Sequence, residues 1–507
     1  MGTGEPGSPT DAPRAGPSDE QLAAIAAPEG PLLIVAGPGT GKTTTLAERI
    51  AFLVRAFRVP PREVIAFSFT RVAAATLRAR LVARMGLEGA VVNVTTFHAF
   101  GAGVIERWSA EVGYRDGRPR VLAGEAARAL LVEALGCRER GSEPPPDRVL
   151  RALADGVRLA RLGEGGGALS ASTVALAAAY EALLRERNAI DYEAMLALPL
   201  RLFRERPAIL QRYQAAYRHI LVDEMQDLNA AQSRLARLLA GGHGRLAAVG
   251  DPAQTLFGFT GASERFLLDF PADHPGAAVV ALTRNFRSTG HIVDATNVIG
   301  VPLPYGRPLW TASGPGPAPA LYGADDDRDE AAFVAAEVDG LLRRGDVASP
   351  AEIAILYRLR EQGDPIRRAL GARGLPYGGD RAVGAVARVR LGTIHGAKGD
   401  EWAAVFVVGL EEGVLPHHRA LRDEDPGALT AERHVAYVAV SRPRERLYLT
   451  YCARRPADGP ADAGAAPATR RALPSRFLLA LPLVRVAGPR DAADAPLAPR
   501  PYPPEAA

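Results

Sequence analysis

The chain has 507 residues, 47% of them hydrophobic and 23% charged, with 61 basic against 57 acidic side chains and a formal net charge of +4. That length exceeds one ordinary core and predicts two to four globular domains. Two cysteines, Cys137 and Cys452, exclude a disulfide framework or a cysteine-ligated metal centre, and no apolar run approaches membrane-spanning length.

Residues 1–17 are rich in Gly, Pro and Ser without apolar periodicity and are expected to form a disordered tail. Order begins at Ser18-Asp19-Glu20-Gln21, an N-cap-like helix start, followed by the strand run Leu32 to Ala36. Further strand-like runs are Val64 to Ser68, Val91 to Val94, His219 to Val222, Leu246 to Val249 and Ala278 to Leu282, with helical stretches between, the pattern of a parallel α/β sheet. Between about residues 101 and 194 strands are not expected; Ala- and Leu-rich helical segments take over, which predicts a helical insertion. A second α/β set runs from Pro319 to Tyr451, with strands at Ile353 to Tyr357, Val389 to Ile394, Val405 to Val408 and Leu447 to Thr450. Beyond Leu478 the chain turns Pro/Ala-rich and is expected to fray. The expected domains are 18–100 with 195–282, the insertion 101–194, a second domain 283–485 and a tail 486–507. With no secretory signal and two reduced cysteines, the expected compartment is the cytoplasm.

Of the 61 basic residues only two, Lys42 and Lys398, are lysines. Both sit in glycine-flanked segments, where a compact ammonium fits among backbone N–H groups and phosphate oxygens better than a planar guanidinium. Lys42 belongs to Ala36-Gly37-Pro38-Gly39-Thr40-Gly41-Lys42-Thr43, which follows a strand and opens a helix, as a P-loop requires. Its backbone N–H groups and helix N-terminus suit phosphates, Lys42 reaches the β/γ-phosphates, Thr43 can bind Mg²⁺, and Thr44 completes the nucleotide-binding segment. The usual first glycine is Ala36. At the end of the run His219 to Val222 come Asp223 and Glu224: the first can hold Mg²⁺, and the second can activate the attacking water.

From this point the sequence resembles the UvrD/Rep type of superfamily 1 DNA helicases, over roughly Ser18 to Leu479. The resemblance rests on Val64 to Arg71, Thr95 to Phe100, Asp223-Glu224-Met225-Gln226-Asp227, Val249 to Phe259, Leu282 to Ser288, Thr393 to Trp402 and Ala436 to Arg442, in the family's order. It implies two RecA-like P-loop NTPase domains with parallel sheets, the first carrying the helical insertion. It also implies an ATP- and Mg²⁺-dependent motor that moves 3′ to 5′ on single-stranded DNA or at single/double-strand junctions. By the same resemblance Gln21 reads adenine, Gln254 senses the γ-phosphate, Phe286 stacks on the base, Glu401 contacts ribose, and Arg287 and Arg442 are arginine fingers. Phe69, Phe257 and Phe259 become stacking platforms for DNA, with Arg71, Thr96, His98 and His395 beside the strand. Aromatic stacking is sequence-tolerant, as a translocase needs.

Several positions depart from the family pattern. Thr260 stands where Arg is frequent, Val72 where Lys is common, and Asp400 replaces an apolar residue. The large 2B insertion expected before Thr393 is missing: Gly374-Leu375-Pro376-Tyr377 passes through Gly378 to Ala387 directly into Val389. The expected activity is therefore that of a minimal, monomeric translocase with weak or partner-dependent unwinding, open to a repair or nuclease partner. The alternative is a factor that displaces proteins from DNA without separating strands. Lys398 is expected to couple ATP to DNA, and His417-His418 to lie solvated in a loop.

Overall fold

A computed structural model describes residues 16–115, 117–137, 142–163, 169–258, 261–300, 307–379, 387–422, 426–456 and 469–487. The chain divides into two compact units. The first comprises residues up to Ala36, Lys42–Pro252 and Phe257–Leu282; the second comprises Gly37–Gly41, Ala253–Leu256 and the chain from Thr283.

The first unit contains β1 (Leu32–Ala36), β2 (Val64–Phe67), β3 (Asn93–Thr95), β4 (Arg120–Val121), β5 (Ala189–Ile190), β6 (His219–Val222), β7 (Leu246–Gly250) and β8 (Ala278–Leu282). Six of these form one parallel sheet in the order β3-β2-β6-β7-β1-β8. Its central strands are buried along their whole length and mostly apolar because both faces are covered. Alternation along the strands separates two cores. Leu33, Val35, Ile65, Phe67, Ile220 and Val222 face helices Phe97–Arg107 and Ala194–Glu205. Leu32, Ile34, Val64, Ala66 and Leu221 face helices Lys42–Arg55 and Arg71–Met85. Phe67 and Phe97 stack at 4.2 Å between ring centroids. The close approach of the first helix pair rests on Gly101, where an added Cβ would lie 1.7 Å from the Met195 carbonyl oxygen.

Helices Glu125–Ala134, Asp147–Leu162 and Ala171–Glu186 enclose a separate small core that includes Leu130, Val157, Leu176, Tyr180 and Leu184. The sequence predicts no strands here, yet β4 and β5 form a short parallel pair. Two-residue strands leave no periodic signal to detect. Val91, expected in a strand, ends a short helix, Leu87–Val91, and β3 begins at Asn93.

The second unit contains β9 (Ala320–Ala324), β10 (Ile353–Tyr357), β11 (Tyr377–Gly378), β12 (Val389–Thr393), β13 (Trp402–Val408), β14 (Pro443–Cys452), β15 (Arg454–Pro456), β16 (Thr469–Arg471) and β17 (Val484–Arg485). Seven build a second parallel sheet in the order β11-β12-β10-β13-β14-β9-β17; β15 and β16 form an antiparallel pair. The two sheets bear out the expected α/β class of two RecA-like domains. The chain stays ordered past Leu478, since β17 pairs with β9 through Val484 and Arg485. Most of the short connection from Gly378 to Ala387 lies outside the described residues, as do the 1–15 and 488–507 portions of the expected tails.

Candidate nucleotide and nucleic-acid sites

In the first unit β1 ends at buried Ala36, and the helix that begins at Lys42 carries Thr43 and Thr44 in its first turn. The Lys42 ammonium donates to the Ala36 carbonyl at 3.1 Å. At the end of β6 Asp223 is 3% exposed, and its Oδ1 accepts the Glu224 N–H at 3.1 Å. Burial and the neighbouring Glu224 charge push the Asp223 carboxyl up to about 7, against the pull of Lys42 and Arg80. Two adjacent carboxylates in a desolvated pocket are unfavourable without a cation, so this donor set fits Mg²⁺. Glu224 has φ +54°, ψ +48°, a left-handed conformation that costs a non-glycine residue about 1 kcal/mol. Such strain concentrates at functional turns.

Gln226, entirely buried, joins this acid pair to the next strand. Its Nε2 donates to the Glu224 carboxylate, and its Oε1 accepts the Asp251 N–H at 3.0 Å just after β7. Arg80 donates to the Thr44 hydroxyl at 3.0 Å. Sequence reasoning does not single out Arg80, because one arginine among 59 carries no signal. Gln21 is 7% exposed and closes a capping box with Ser18: its Oε1 accepts the Ser18 N–H at 3.0 Å.

The remaining predicted nucleotide residues belong to the second unit. The arc Gly37, Pro38, Gly39, Thr40, Gly41 is closed by the Thr40 hydroxyl donating to the Gly37 carbonyl at 2.8 Å. Gly39 has φ +72°, and a Cβ there would lie 2.6 Å from the Asn285 amide nitrogen, so the position admits only glycine. Asn285 donates to the Pro38 carbonyl at 2.9 Å and accepts the Arg287 and Ser288 N–H groups at 2.8 and 2.7 Å. Phe286 is 39% exposed, as a base-stacking ring requires, and the Arg284 guanidinium lies 4.7 Å from its centroid. Arg287 donates to Glu401 at 2.6 Å and to the Ser441 carbonyl at 3.0 Å. Arg442 is 1% exposed; it donates to the Val438 and Asp400 carbonyls and, at a long 3.5 Å, to Oε1 of Gln254. Lys398 donates to the Gln254 backbone carbonyl at 2.7 Å.

A groove of about 350 Å³ lies within the helical insertion, and a larger one of about 650 Å³ brings together Phe69, Arg71, Thr96 and His98, four of the residues expected beside DNA. The larger groove also recruits Arg118 and Tyr192, which the sequence reading missed. Tyr192 is 47% exposed and meets His98 edge to face at 5.8 Å. Its only sequence signal is an aromatic after a short apolar run. Thr96 is 9% exposed, and its hydroxyl accepts the Ala99 N–H at 3.2 Å, capping the helix that carries His98. Phe257 stacks on Phe69 at 5.0 Å, whereas Phe259 and Thr260 lie outside the described residues. His395 is placed in the second unit. Burial is the leading cause that holds both His98 and His395 below the usual histidine value, so both are neutral at pH 7.

Among the described residues Glu330, Glu411 and Cys452 form a buried cluster of metal-ligand type. Arg455 already answers its charge, at 2.6 Å from Glu330 and 2.9 Å from Glu411. His417 and His418 are half-buried rather than solvated: their rings pack at 4.2 Å, and the His417 N–H donates to Glu432 at 3.0 Å. Among the described residues no helix is long and apolar enough to cross a membrane.

Residues 18–275 match the UvrD/REP helicase N-terminal domain, and residues 378–454 match the UvrD-like helicase C-terminal domain. The ATP-dependent DNA helicase UvrD2 of Mycobacterium tuberculosis is 30% identical over 586 aligned positions, covering 92% of this chain and 81% of the relative. The ATP-dependent DNA helicase PcrA of Leuconostoc citreum is 32% identical over 375 positions, 71% of this chain and 49% of the relative. The putative ATP-dependent DNA helicase YjcD of Bacillus subtilis is 31% identical over 391 positions, 73% of this chain and 50% of the relative. The chain thus spans about half the length of the last two. With both family domains matched in order around these sites, the chain belongs to the UvrD/Rep helicase family.

Proposed function

We propose that the protein is an ATP-dependent, 3′-to-5′ single-stranded DNA translocase and DNA helicase. The observation that carries this reading is the composition of the first unit. It holds a phosphate-type lysine beside buried Asp223 and half-buried Glu224, and a groove lined by aromatic, basic and hydroxyl side chains. Thr43 and Asp223 would hold Mg²⁺, which would supply charge neutralisation at the phosphates. Lys42 holds the β/γ-phosphates, and Glu224, oriented by Gln226, takes the proton of the attacking water. Gln21 and Phe286 hold the adenine, Glu401 the ribose, and Arg287 and Arg442 counter charge on the transferred phosphoryl group.

Lys398 now has a role consistent with coupling. Its grip on the Gln254 main chain ties the segment Thr393–Trp402 to the phosphate-sensing glutamine, so displacement of one pulls the other. On the nucleic-acid side Phe69, Phe257, Tyr192 and, by family position, Phe259 stack on bases, while Arg71, Thr96, His98 and His395 border the strand. Recognition through stacking and phosphates tolerates any sequence.

The UvrD2 alignment runs over more positions than the 507 residues of this chain, so that relative carries stretches absent here. This supports a minimal motor without the 2B insertion, for which we propose a monomer in the cytoplasm and unwinding that depends on a partner. The test is ATPase with and without single-stranded DNA, run beside unwinding of 3′- and 5′-tailed duplexes. DNA-stimulated turnover with a 3′-tail preference is expected. Stimulated turnover that strips bound protein without separating strands would establish the displacement reading instead, and the absence of DNA stimulation would overturn both.

A further inference from the structure

The short strand pair β4/β5 places two consecutive residues in opposite environments. The Leu122 N–H donates to the Ile190 carbonyl at 2.7 Å and fixes the chain just before Asp191. Asp191 then turns inward, 4% exposed, and Tyr192 turns outward into the groove. Both Asp191 oxygens are committed: Oδ1 accepts the Ala194 N–H at 2.8 Å where helix Ala194–Glu205 begins, and Oδ2 accepts from Arg161 at 2.6 Å. Arg161 comes from the last turn of helix Asp147–Leu162, with its guanidinium 5.4 Å from the Tyr180 ring centroid. The side chains of the pair are 4% and 6% exposed.

A buried ion pair of this kind gives little net stability, because desolvating two charges offsets their attraction, and apolar residues of similar volume serve as well. What it supplies is direction. With Asp191 holding Arg161 and the Ala194 N–H together, the chain bends at 190–193 and Tyr192 stands at the groove wall beside His98. The alternative is a staple that merely holds the helical insertion in place.

We infer that Arg161 and Asp191 are positioning residues for nucleic-acid binding: their buried ion pair fixes the bend that presents Tyr192 to the groove. The inference rests on the groove's being the single-strand site. It is tested by fluorescence anisotropy of the full chain with labelled oligo-dT, using Tyr192→Ala, Arg161→Met, Arg161→Lys and the doubles with Tyr192→Ala. Tyr192→Ala is expected to weaken binding roughly 10-fold, the scale of one base stack. Arg161→Met should weaken the wild type by a similar factor but change the Tyr192→Ala protein less than about 2-fold, a coupling that a plain staple would not show. Arg161→Lys, which keeps the charge, should fall between. If Arg161→Met does not fold, Asp191→Asn preserves size and the Ala194 contact and carries the same comparison. Equal losses in both backgrounds, or wild-type affinity in Arg161→Met, would overturn the inference. A Tyr192→Ala protein that binds like wild type would instead refute the reading of the groove.

Discussion

The substitution Gln226→Met isolates what the fully buried glutamine between Glu224 and Asp251 does. Methionine is close in volume and unbranched, so the change deletes two hydrogen bonds while leaving the packing nearly intact. The Asp251 N–H, now 3.0 Å from the glutamine oxygen, would be left unpaired in a buried site at a cost of about 1–3 kcal/mol. The bond to the Glu224 carboxylate is charge-assisted and contributes about 1.5–3 kcal/mol. Burying the apolar methionine tip returns on the order of 1 kcal/mol. The net expectation is a loss of about 1.5–5 kcal/mol in the stability of the first unit, read by urea unfolding. Turnover should fall more than stability implies. Without its donor the Glu224 carboxylate is no longer aimed, and a general base supplies roughly 10²–10⁴ in rate, of which misorientation forfeits about 10- to 100-fold. Gln226→Glu tests the electrostatic part: it keeps an acceptor for Asp251 but sets another carboxylate against Glu224 in a buried site, so it should lose at least as much stability as Gln226→Met and recover none of the turnover. A Gln226→Met protein with wild-type unfolding midpoint and wild-type turnover would refute the bridging role.

If Lys42 holds phosphates as proposed, Lys42→Ala should reduce ATP hydrolysis by at least about 100-fold with little change in melting temperature, since it packs in no core; retained turnover argues against the site. Phe257→Ala should weaken single-strand binding by about 1–3 kcal/mol in a titration, and unchanged affinity would mean that its stack on Phe69 is only packing. Gly101→Ala should prevent soluble folding, since backbone at Met195 occupies the Cβ position; a folded, active variant would contradict the close packing of the two helices. Because burial lowers the pKa of His98 and His395, affinity for DNA should be flat from about pH 8 to about pH 7 and rise only as acid protonates them. The same sign makes folding less favourable there: the unfolded chain takes up protons first, so stability is lost as pH falls below the unperturbed histidine value of 6.5. Affinity that climbs steadily between pH 8 and 7 would count against neutral histidines.

The chemistry of the nucleotide site was legible in the chain because it is local. A P-loop needs its glycines, lysine and hydroxyl within eight consecutive residues, and an acid pair at a strand end needs only a short apolar run before it. Lys42, Asp223 and Glu224 therefore announce themselves, and two lysines against 59 arginines point to the two segments where an ammonium matters. The parallel sheets are legible for the same reason: strands covered on both faces are written as continuous apolar runs.

Residues whose role is defined by what they touch far along the chain were not legible. Arg80 meets Thr44 and Arg161 meets Asp191 only after folding, and no spacing rule distinguishes them from the other arginines of the chain. Lys398 stood out by composition, but its partner, a backbone carbonyl 144 positions away, could be found only in three dimensions. The sequence by itself determined the motor's class and its phosphate chemistry, because those depend on short-range patterns of residue type. The tertiary structure decided how the Glu224 carboxylate is aimed, what the second lysine holds and which tyrosine walls the groove, because burial and long-range contact exist only once the chain has folded.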